Sequence, residues 1–133
     1  MMQAPGPTTE TDYRRRLALW MAMVFSIMMY YVVIQRVTPV NPQENARLVA
    51  AMLAASIALV VTSFVVKPRL QGRTDQPNAA ARTRAADIIA LALCEAAALF
   101  GVVVWFMTAW SRTYIFFGVG LAGILLHYPK RQS

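Results

Sequence analysis

The chain of 133 residues has one cysteine, one histidine and six acidic residues, and each shortage closes a class of function. Cys94 alone allows no intrachain disulfide. It lies inside an apolar run, where lipid disfavours the thiolate, so it reads as a small packing residue rather than a reactive thiol. With His127 as the only histidine, no two imidazoles can stand at metal-ligand spacing. Neither a Gly-x-x-x-x-Gly-Lys loop nor a Gly-x-Ser-x-Gly elbow is present. Asp87 and Glu95 are eight residues apart, about 12 Å along a helix, too far to act together as general acid and base. The sequence points to no enzyme, no metal and no cofactor. His127, near the end of the last apolar run, reads as an interfacial anchor.

What is abundant is apolar: 58% of residues are hydrophobic and 14% charged. A soluble domain of this length could build one modest core. Here the apolar residues come instead in runs near twenty long, as in an integral membrane protein of a single unit. The formal net charge of +7 raises the question of nucleic acid. Because the basic residues collect at the ends of the apolar runs, their pattern argues against a nucleic-acid partner.

Residues 1–13 are polar and include Pro5, Gly6 and Pro7, so they are expected to be flexible. Four spans follow, at about 17–35, 48–66, 87–108 and 113–128. Arg14, Arg15 and Arg16 before an apolar run also fit a signal peptide. That run is long, however, and no small-x-small cleavage site follows it, so it reads as a retained helix. Pro39 and Pro42 mark the first loop, and the second run ends at Lys67-Pro68-Arg69. The next helix is expected to start near Asp75, a plausible cap, and to continue through Ala79 into the third span. The fourth run is short for a span. It reaches across only if residues 111–113 sit among the headgroups or the bilayer thins locally.

Aromatic residues mark both interfaces, Trp105, Trp110 and Tyr114 at one and Trp20 and Tyr128 at the other. Four spans place ten Lys and Arg residues on one side and three on the other. By the positive-inside rule both termini lie in the cytoplasm. The expected protein is all-α, with four transmembrane helices around a central helical hairpin, multi-pass in a bacterial inner membrane.

Helix two carries a stripe of small residues, Ala46, Ala50, Ala54, Ala58 and Thr62. Helix three carries another, Ala90, Cys94, Ala97 and Gly101. Small residues four apart let two helices approach closely in lipid, so the two stripes are expected to meet. Glu95 lies off its stripe, on a flank open to a neighbouring subunit, to helix one or to helix four. From Ile88 to Met107 it is the one residue that is not apolar. It stands about 4 Å from the middle of that run. A carboxylate at such depth costs on the order of 2.5–3.5 kcal/mol on insertion scales and marks a functional site by default. Facing lipid it is expected to be protonated, and to ionise when it meets water or a cation. The competing reading is a fastener, hydrogen-bonded to Ser56, Thr62, Ser63 or Tyr30 of a neighbouring helix.

The stretch from Gln76-Pro77 through Ile88-Ile89-Ala90-Leu91-Ala92-Leu93-Cys94-Glu95-Ala96-Ala97-Ala98-Leu99-Phe100-Gly101-Val102-Val103 resembles the second helix of the rotary ATP synthase c subunit. The resemblance covers roughly residues 76–104. It implies a helical hairpin, here helices two and three, and reversible proton binding at Glu95. The chain departs from that family in three ways. Alanines stand where helix one of the c hairpin has glycines, Asp75 stands where an arginine precedes Gln-Pro, and helices one and four have no counterpart. As a whole the chain is similar to small four-helix bacterial membrane proteins, a resemblance that implies no activity. Implied partners are the lipid bilayer and either further copies of the chain or a larger membrane complex.

Overall fold

The computed structural model describes residues 7–72 and 79–130. Four helices account for most of them: α1 (Pro7–Arg36), α2 (Ala46–Gln71), α3 (Ala79–Thr108) and α4 (Tyr114–Leu126). No strand occurs among the described residues. Within the first three helices, Glu10–Arg36, Ala46–Leu70 and Ala81–Thr108 are long and apolar enough to cross a membrane. The protein is therefore an all-helical membrane protein. At 13 residues, α4 is only about 20 Å long.

The helices alternate in direction. Arg16 near the start of α1, Lys67 near the end of α2 and Asp87 near the start of α3 meet at one end. At the other end, Trp105 Nε1 donates to Val37 O at 3.0 Å and the Gln43 amide donates to Met107 O at 2.9 Å. Helix α3 is the hub and packs against all three others, most extensively against α2. Its apolar window is 39% buried, against 11% for those of α1 and α2. Its buried positions Ala86, Ala90, Ala97 and Val104 recur at four and seven residues, the spacing of one inward helix face.

In lipid, apolar burial does not by itself draw helices together; close packing and hydrogen bonds do. Glycines supply the close packing between α3 and α4. A Cβ on Gly120 would stand 2.8 Å from the Cys94 carbonyl oxygen, and one on Gly101 would stand 2.5 Å from Phe116 Cβ. Serines supply hydrogen bonds between α2 and α3. Ser56 Oγ donates to the Ala97 carbonyl at 3.1 Å, and both Ser56 and Ser63 are fully buried.

This arrangement corrects the expected pairing of two small-residue stripes. Ala90, Ala97 and Gly101 are buried on α3 as expected, but Ala50, Ala54 and Ala58 lie on the exposed face of α2. The inward seam of α2 is Val49, Ser56 and Ser63, repeating every seven residues. A hydroxyl on the outward face can reach only a carbonyl of its own helix, as Thr62 reaches Ala58 at 2.6 Å, whereas on the inward face Ser56 reaches Ala97 on α3. The serines therefore turn in and the alanines turn out.

Helix boundaries also shift. Residues 7–13, expected to be flexible, are the start of α1. Pro7 opens the helix where a missing N–H leaves no intrahelical bond unmade. Helix α2 runs past Pro68 to Gln71. At its other end Asn45 accepts the Leu48 amide at 3.0 Å and caps the helix. The proposed start at Asp75 lies outside the described residues. After α3, Ala109 turns the chain at φ 50°, a left-handed conformation that an L-residue with a Cβ rarely adopts.

Candidate functional site

Glu95 sits at mid-length on α3, partly buried. Of the neighbours open to it, the fold gives it α1: the Tyr30 hydroxyl donates to Glu95 Oε1 at 2.5 Å. Tyr30 is held in place because its ring packs on the core cluster that contains Ile27, Ile34 and Leu91. Ile27 and Ile34, seven residues apart on α1, turn that face of the helix towards α3. The pair thus joins the two helices at a depth where the surroundings are almost wholly apolar. A carboxyl group placed so can accept from Tyr30 when ionised, and when protonated it can also donate.

A second polar group forms at the end of the bundle where α1 and α3 begin. Asp87 is 7% exposed. Its Oδ2 accepts from Arg16 Nε, and its Oδ1 lies 3.1 Å from Lys67 Nζ. The sequence places Asp87 at a water-facing end, solvated or paired with an arginine. The structure pairs it with two cations and closes it from water. An arginine partner was expected and is present, but which arginine, and the addition of Lys67, could not be read because both come from other helices. The available signal was that both flank an apolar run on the same side.

Beside this triad, His127 is buried rather than anchored at the surface. Its ring stacks on Phe64 at 4.3 Å and 18°. Its Nε2 lies 2.9 Å from Ser63 Oγ. Ser63 Oγ also donates to the Val60 carbonyl at 2.5 Å. Cys94 Sγ completes the cluster at 3.5 Å from Ser63 Oγ, consistent with a packing role. Among the described residues, no group of three or more His, Cys, Asp or Glu side chains could hold a metal ion.

At the opposite end an open cavity of about 680 Å³ lies between the start of α2 and the turn after α3. Glu44, Val49, Leu53, Thr108 and Trp110 are among its lining residues. The two candidate carboxylates, Glu95 and Asp87, remain separate sites: one is bound to a tyrosine in the apolar middle, the other to two cations at the end.

Comparison of the chain with protein-family models, with curated proteins and with solved structures returns no match.

Proposed function

We propose that Glu95 binds and releases a proton within the membrane, as an ATP synthase c-like subunit does, inside a larger membrane assembly. The observation that carries this reading is the placement of one carboxyl group in the middle of the longest-buried apolar helix, with a tyrosine hydroxyl as its hydrogen-bond partner. Intramembrane carboxylates of this kind serve proton relays. The α2–α3 pair supplies the hairpin that such a role requires, and the exposed face of Ala50, Ala54 and Ala58 offers a neighbouring subunit close approach. In this reading the basic end faces the cytoplasm of a bacterial inner membrane, both termini lie there, and α4 completes a fourth crossing.

The Tyr30–Glu95 bond itself favours a second reading, an accessory subunit in which Glu95 only fastens α1 to α3. The two readings separate on labelling with a hydrophobic carbodiimide across pH, followed by peptide mass mapping. Proton binding predicts modification at Glu95 that fades as pH rises. No modification at any pH would leave the fastener.

A further inference from the structure

The two ends of the bundle differ sharply in charge. Around the end where α1 begins stand Arg14, Arg15 and Arg16, Lys67 and Arg69, Arg82 and Arg84, and Lys130. Their acidic counterparts among the described residues there are Glu10, Asp12 and Asp87. Two of these cations converge on Asp87, whose single negative charge cannot neutralise both. The side chains of Arg16 and Lys67 are only 14% and 17% exposed, so the surplus positive charge is held close to the protein rather than dissolved in water. Such a charge is costly without a counter-ion. Arg16 engages Asp87 through Nε, which leaves its terminal NH₂ groups to donate elsewhere, and Lys67 Nζ has N–H bonds beyond the one that Asp87 takes.

The surroundings define what the counter-ion is. Just below the cluster, the last turn of α4 exposes Leu125 at 49% and Leu126 at 73%, and α1 exposes Met21 at 58%. Trp20 and Tyr128 meet edge to face at 5.0 Å beside it, and the Trp20 indole donates to the Ile124 carbonyl at 2.6 Å. Amphipathic rings of this kind mark the headgroup level. Donors for a phosphate therefore stand directly over apolar surface suited to acyl chains.

We infer that this end of the bundle binds the phosphate of an anionic phospholipid, with Arg16 and Lys67 as the anchoring cations. The exposed Arg15, Arg69 and Lys130 add to the attracting field. The inference is independent of any role for Glu95.

The test is native mass spectrometry of the full chain in detergent, titrated with phosphatidylglycerol and with phosphatidylcholine of the same acyl chains. The wild-type chain retains phosphatidylglycerol roughly 25-fold better, since each of the two anchoring cations is worth about a fivefold gain. Lys67→Gln leaves Asp87 paired with Arg16 and lowers that preference about fivefold. Arg69→Gln combined with Lys130→Gln alters only exposed positions and lowers it as well, which keeps the test intact if the Lys67 variant fails to fold. Equal retention of both lipids by the wild-type chain, or an unchanged preference in the variants, would overturn the inference. So would equal thermal stabilisation by inorganic phosphate alone, which would assign the cations to a free anion.

Discussion

At the scale of single residues, Glu95 and Asp87 show how the same chemistry is handled at two depths. Asp87 is paired with two cations, Arg16 and Lys67, in a confined space. Removing the carboxylate leaves Arg16 and Lys67 facing each other without relief, so Asp87→Asn is expected to lower stability by about 3 kcal/mol. Lys67→Met, which leaves the Arg16–Asp87 pair whole, is expected to cost far less. Denaturation of the purified protein in detergent measures both.

Glu95 has one neutral partner instead. Tyr30→Phe deletes that hydrogen bond and is expected to cost about 0.6–2 kcal/mol in the same assay. Glu95→Gln retains an acceptor for Tyr30 and is expected to stay close to wild type in stability while losing any proton-linked behaviour. A glutamine variant as unstable as Tyr30→Phe would show that the negative charge itself fastens the helices.

At the scale of helices, the contacts turn on which positions lack a side chain. Gly120 faces the backbone of α3, and its neighbour cannot give way, so Gly120→Ala is expected to destabilise by about 1–3 kcal/mol. Gly118 on the same helix has open space around it, so Gly118→Ala is expected to be neutral or to stabilise by up to about 1 kcal/mol through helix propensity. At the turn after α3, Ala109→Gly is expected to stabilise by about 1 kcal/mol by relieving a Cβ held at positive φ. Thermal unfolding of the three variants side by side checks the set, and an equal response at Gly118 and Gly120 would contradict the packing of α4 on α3.

The third span and its glutamate were legible in the sequence because a twenty-residue apolar run with one carboxyl group needs no tertiary information to be recognised. The same holds for the small-residue face of α3, whose period matches its burial. The facing side of α2 was not legible. Alanine and serine stripes both pack closely, and the choice between them depends on where a hydroxyl finds a carbonyl, here Ser56 on Ala97. The helical start of α1 was hidden for another reason: Pro7 and the polar residues after it have no apolar periodicity, yet Glu10 and Arg14, 3.5 Å apart, make an i,i+4 pair that suits a helix.

At the scale of the whole molecule, polar groups are ranked along the bundle. One end gathers three ionised side chains and a buried histidine, the middle holds one carboxyl group and one tyrosine, and the far end has the open cavity and the indole–carbonyl bond of Trp105. The convergence of Arg16, Lys67 and Asp87 could not be read in advance, since it joins residues 71 positions apart through the packing of α1 and α2 on α3.

The central claim is that Glu95 exchanges a proton inside the membrane. Infrared difference spectroscopy of the protein reconstituted in lipid, recorded between low and high pH, tests it most directly. A Glu95 that exchanges a proton gives a protonated-carboxyl band that disappears as pH rises, shifts in Tyr30→Phe and is missing in Glu95→Gln. A Glu95 signal that stays the same at every pH would contradict it and leave the residue as a fastener between α1 and α3.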